Sequence, residues 1–142
     1  MEETITHDGK IVAVIIKADE SFSETRFFTP PEFSQQLGFI IHKSGHIIQP
    51  HTHNRIQRNV VTTLETLIIR KGKVKVLLYT EERKFLRSAI LEQGDVILLA
   101  SGGHGFEILE DAEMIEVKQG PYIDTMVDKS RFDFPPDKKT CA

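Results

Sequence analysis

Apolar residues recur along this chain in short runs separated by turn residues, and no stretch sustains a helical period with caps. Ile11-Val12-Ala13-Val14-Ile15-Ile16 is rich in β-branched residues and predicts a buried strand. Residues 21–28 are a weaker candidate, ended by Thr29-Pro30-Pro31, where two prolines forbid ladder pairing. Residues 36–43 form a third, closed by Ser44-Gly45, and Ile47 to His53 a fourth. Residues 54–63 are polar at first and predict a loop running into a strand. Residues 64–70 and 73–79 flank Lys71-Gly72, a tight hairpin signal, and Val74, Val76 and Leu78 alternate with lysines as a half-buried strand does. Residues 84–91 and 96–99 follow. Two last strands, 104–109 and 114–118, are divided by Glu110-Asp111-Ala112, and a polar, irregular tail occupies 120–142. About ten short strands at this spacing predict an antiparallel sandwich or barrel, so the fold class is all-β.

Composition narrows this picture without changing it. A chain of 142 residues supports one domain, and nothing resembling a linker or internal repeat divides it. The formal charge of −3 gives no reason to expect nucleic acid or an anionic membrane surface as a partner. No apolar run reaches the roughly 18–20 residues of a bilayer span. The N-terminus lacks the basic and apolar regions of a signal peptide, and a lone Cys141 permits no internal disulfide, so the expected location is cytoplasmic.

The chemistry concentrates in a few residues. His51 and His53 are two apart on a predicted strand, which points both imidazoles to one face. Glu65 opens a later strand, and His104 stands in the glycine-rich Gly102-Gly103-His104-Gly105-Phe106. Strand parity places Leu67 and Ile69 on the face of Glu65, and Phe106 and Ile108 on the face of His104, with Glu107 opposite. His42 and His46 read as surface or strand-end residues. Arg55 and Arg58 are candidates to hold a phosphate or carboxylate at a pocket mouth, against the simpler reading of solvated loop charges. Tyr79 and Phe106 read as core rather than substrate-stacking groups.

Gly45-x5-His51-x-His53 followed by Glu65-x6-Gly72 resembles the first signature motif of the cupins, and Gly94-Asp95 with His104-Gly105-Phe106 resembles the second. The resemblance runs from about 36 to 118, with N-terminal strands over 11–28 outside it, and implies a double-stranded β-helix, a jelly-roll barrel. It also implies that His51, His53, Glu65 and His104 bind a divalent metal. Three imidazoles and a carboxylate suit iron, manganese, nickel, copper or zinc, and leave two positions of an octahedral ion open. Eleven residues separate His53 from Glu65, and the shorter family spacing selects Gln57, which offers only a neutral carbonyl. The six-residue step to a turn glycine favours Glu65, because from Gln57 it lands on Leu64.

The resemblance thus implies a metal-dependent enzyme acting on a small oxygen-bearing molecule, by isomerase, lyase or oxygen-activating chemistry, with Glu65 and His104 as catalytic candidates. A non-catalytic binding module for a sugar or other small molecule is a second expectation, and a metal-free sugar isomerase or epimerase with a histidine base a third. Residues 102–110 and 116–122 resemble small cupins associated with surface-polysaccharide biosynthesis, which tilts the ligand towards carbohydrate. The apolar run 11–16 and Ile68 suggest a further buried surface, either a homodimer through an N-terminal edge strand or cover by the C-terminal segment.

Overall fold

The computed structural model describes residues 2–134; Cys141 and the rest of the terminal segment lie outside the described residues. The chain folds into a nearly all-β, curled antiparallel sheet that forms a half-barrel. Its strands are β1 (Glu3–His7), β2 (Lys10–Ile16), β5 (Glu65–Tyr79), β6 (Phe85–Glu92), β7 (Val96–Leu99) and β8 (Gly103–Lys118). A two-stranded hairpin of β3 (Arg26–Phe27) and β4 (Gly38–Phe39) lies beside it, and one short helical turn, α1 (Thr125–Asp128), follows β8. No helix among the described residues is long and apolar enough to cross a membrane.

β1 has no counterpart among the expected strands, since Ile5 is its only apolar residue. Asp8-Gly9 nevertheless explains it. Both residues have positive φ (47° and 75°), and His7 pairs with Lys10, so the two form the two-residue turn that matches strand twist. β2 then runs between β1 and β7. Val12, Ala13 and Ile15 pack into one core cluster with Leu67, Ile69, Val76 and Ile97, while Val14 and Ile16 pack with Leu98 and Leu64 on the opposite face. Phe22, Phe28, Phe33 and Phe39 cover that second face. The apolar run 11–16 is therefore buried on both sides by its own chain, through the 22–39 region rather than the C-terminal segment. The weaker candidate strands at 21–28 and 36–43 shrink to the two-residue β3 and β4, because the Pro30-Pro31 corner and the packing of phenylalanines set their path.

One expected hairpin and one expected strand break do not form. Residues 64–70 and 73–79 make one continuous strand, β5, and residues 104–118 make another, β8; the two pair along nearly their whole length. Lys71-Gly72 is a bulge, with Gly72 at φ +83° and register shifts between Ile69 and Val74. A methyl group at Gly72 would run into the carbonyl of Asp111 on the facing strand. At this corner β5 changes neighbours, from β7 beside residues 65–68 to β6 beside 73–79. A glycine at positive φ suits a hairpin and a bulge alike, which is why the pattern predicted a turn.

The corner is anchored from outside. Asp95, 2% exposed, follows Gly94 in the β6–β7 turn; its Oδ1 accepts from the Ala18 N–H at 2.8 Å and its Oδ2 from the Glu92 N–H at 2.8 Å. Lys17 pairs with the same carboxylate. Ile69 donates to the Asp95 carbonyl at 3.0 Å and Gly94 to the Ile69 carbonyl at 2.8 Å, so β5 is tied to this turn where it bends.

The expected strand over Ile47 to His53 is also absent: residues 40–64 form no strand, and every residue from 42 to 63 is exposed. No other strand runs alongside it, so its backbone has no ladder to join.

Candidate functional site

Glu65 opens β5 in register with Lys118, while His104 opens β8 in register with Leu78. On a straight ladder these positions would lie roughly 40 Å apart. Instead His104 Nε2 sits 3.1 Å from Glu65 Oε2, because the corner at Gly72 folds the β5–β8 ribbon back over itself. The two halves of one ribbon thus bring together side chains that share neither a strand nor a paired position.

Parity holds on β5: Glu65, Leu67 and Ile69 are all buried on the inner face. On β8 it holds less completely. Phe106 is half-buried and meets the His104 ring edge-on at 6.0 Å, Glu107 faces out to Lys75, and Ile108 is exposed because β8 lies at the open side of the sheet. Tyr79 is core, 2% exposed and packed edge-on against Phe132 and Phe85, and burial raises its phenol pKa above the usual value.

Glu65 and His104 line a cleft of about 720 Å³ between the ribbon halves. Its other wall comes from the segment after β8, including Asp128, Lys129, Arg131 and Phe132. The irregular tail expected there is in part a built wall. Asp128 accepts from the Thr63 hydroxyl at 2.6 Å, and Phe132 lies against Tyr79 and beneath Arg83. Gly103 leaves room for this packing, since a methyl there would meet the Phe132 ring. Lys129, Arg131 and Phe132 carry no pattern in the sequence that would single them out, because their role depends on where the tail returns.

The Glu65 carboxyl is held below its ordinary pKa of 4.5, first by the hydrogen bond to His104 and then by the positive charge of His104, Lys129 and Lys118; burial opposes them. When the ring is neutral and donates Nε2–H to Glu65, its Nδ1 is left as an acceptor; the side chain is 32% exposed. The pair is thus a partly exposed imidazole oriented by a buried carboxylate.

His51 and His53 are placed elsewhere. They sit on the exposed 42–63 segment with rings 5.3 Å apart, and His51 Nδ1 contacts the Gln49 carbonyl at 2.9 Å. Neither lines the cleft. Among the described residues no three His, Cys, Asp or Glu side chains are grouped to hold a metal, so as this chain stands the expected four ligands do not form one donor set. Gln57, Arg55 and Arg58 are exposed on the same segment and outside the cleft. His42 and His46 stack on each other at 4.1 Å on the surface. A second cleft, of about 490 Å³, runs between residues 59–62 and the Pro30 corner; of its charged lining residues, Lys10 is already paired with Glu81. Comparisons with protein-family models, curated proteins and solved structures gave no match.

Proposed function

We propose that the Glu65–His104 pair is an acid–base couple at the floor of a small-molecule cleft, acting on an oxygen-bearing, carbohydrate-like anion. The carrying observation is the 3.1 Å contact between a buried carboxylate and a partly open imidazole, made by residues from opposite ends of the ribbon. Glu65 fixes the ring and stabilises the imidazolium that forms when Nδ1 takes a proton. Lys129 and Arg131 on the opposite wall suit a phosphate or carboxylate on the ligand. The chemistry that follows is proton removal next to a carbonyl, the step shared by isomerases and epimerases. A panel of sugar phosphates and uronates screened in deuterated solvent tests it. Solvent deuterium should enter a substrate C–H position, and His104→Ala should abolish that exchange while Glu65→Gln slows it about a hundredfold or more. Exchange that persists in His104→Ala would sink the reading.

A metal-binding barrel of the cupin type is the second reading. It is favoured by the meeting of Glu65 and His104, two of the four residues that the resemblance singles out. The histidines of the exposed segment would have to join them, and no step is derived through a metal. Elemental analysis of untagged protein, with His51→Ala and His104→Ala alongside, tests this: stoichiometric iron, manganese, nickel, copper or zinc lost in both variants supports it, and metal-free protein rules against it.

A further inference from the structure

Two surfaces left unpartnered among the described residues complement each other. Among those residues β8 pairs with β5 alone, so the other edge of a sixteen-residue strand presents open N–H and C=O groups. Ile108, Leu109, Ile115 and Val117 are exposed along it, by 53%, 42%, 44% and 53%. The second surface is the 44–58 arm, in which Ile47, Ile48 and Ile56 are exposed by 84%, 60% and 63%. Both ends of the arm are pinned. Ile41 exchanges hydrogen bonds with the Thr25 hydroxyl, and the Leu64 carbonyl accepts from Gln35 at 2.8 Å and from the Gln119 N–H at 3.1 Å. Held there, the arm leaves the β8 edge of its own chain bare.

The two surfaces match. The arm contains Arg55, Arg58 and three histidines and no acid, whereas β8 carries Glu107, Glu110, Asp111, Glu113 and Glu116 against one lysine. Glu107 and Glu110 are paired with Lys75 and Lys73. Asp111, Glu113 and Glu116 are exposed with no ion-pair partner among the described residues, so β8 carries an unneutralised acid surplus, although Glu116 also lines the cleft. Pro50 cannot donate to a ladder and fits an outermost strand, one that pairs on a single side and blocks further addition.

We infer that the arm of each chain adds as a strand to the free β8 edge of a second copy, giving a reciprocal, strand-exchanged dimer. A closed pair of this kind covers the β8 edge and the arm of each chain at once. This goes beyond the proposed acid–base function and stands without it.

Charge reversal on each surface tests the inference by solution mass. Wild-type protein should sediment at twice 16.2 kDa. R55E/R58E places an acidic arm against an acidic edge, and E113R/E116R places a basic edge against a basic arm. Each variant alone should dissociate at least about tenfold more readily. Mixed in equal amounts, acidic arms meet basic edges in one contact and basic arms meet acidic edges in the other, so the mixture should regain the wild-type mass as a heterodimer. All four positions are exposed, and recovery in the mixture shows that both variants are folded. A wild type that stays at 16.2 kDa at about 100 µM overturns the inference, as does a dimer whose mass neither variant changes or a mixture that does not recover. The readout involves neither turnover nor metal, so its failure and that of the acid–base reading are separately visible.

Discussion

The folded β5–β8 ribbon and the 44–58 arm each carry two of the four residues on which the chemistry centres, and they differ in what holds those residues. Glu65 and His104 are fixed by a ladder, a corner and the buried Asp95 carboxylate behind it. Among the described residues His51 and His53 are held only by their mutual ring contact and the contact of His51 with Gln49. A side chain acquires a defined position from the backbone partners of its segment, and a motif alone does not supply them. The ribbon is thus a preorganised site, and the arm is a set of functional groups whose placement depends on what it docks against.

The largest expected blow to the ribbon is Gly72→Val. It combines a positive φ with collision against the Asp111 carbonyl, so unfolding free energy should fall by about 3 kcal/mol or more, read as a drop of roughly 10 °C in Tm. Next comes Asp95→Ala, which leaves the Ala18 and Glu92 N–H groups without their acceptor and Lys17 without its partner. A loss of about 2–3 kcal/mol in denaturant titration is expected.

His104→Ala is smaller and shows in the pH profile. The depressed pKa of Glu65 means the folded state favours the carboxylate, so its stabilisation is present above the ordinary value of 4.5 and is lost as pH falls through the lower folded value. Removing His104 deletes the largest cause of the depression and leaves burial opposed only by the charges of Lys129 and Lys118. Denaturant midpoints measured from pH 6 down to pH 3 should therefore fall less on acidification in the variant than in the wild type. The smallest effect belongs to the arm. His51→Ala and His53→Ala should each change the unfolding free energy of dilute protein by less than about 0.5 kcal/mol, and a larger loss would show that the arm is packed on its own chain.

What was legible in the sequence divides along the same line. β2, β6 and β7 follow from apolar runs bounded by turn residues, because each is buried by neighbours on a continuous sheet. Val74, Val76 and Leu78 are all fully buried, as their alternation predicts. The corner was not legible as a corner: Gly72 signals a backbone at positive φ, and only the facing β8 decides whether the chain reverses or bends. Glu110-Asp111-Ala112 misleads for the same reason, its turn-like polarity being the outer side of that bend. The histidine pair looked like a strand because Ile47 and Ile48 precede it, yet a strand needs a neighbour, and within one chain this segment has none. The cleft wall at Lys129 to Phe132 was invisible because tail composition says nothing of where the chain returns.

The corner at Gly72 also sets an order of events during folding. Tyr79 and Gly103 are the ladder partners nearest in sequence, and Glu65 and Lys118 the farthest. Closing the shorter loop first costs less chain entropy, so pairing is expected to start beside Tyr79 and to reach Glu65 only after the bulges have set. Glu65 and His104 therefore meet at the last stage of assembly, and a chain stalled midway displays the outer half of β8 with its apolar residues bare. Such a species has an unpaired strand edge open to other chains until the corner closes.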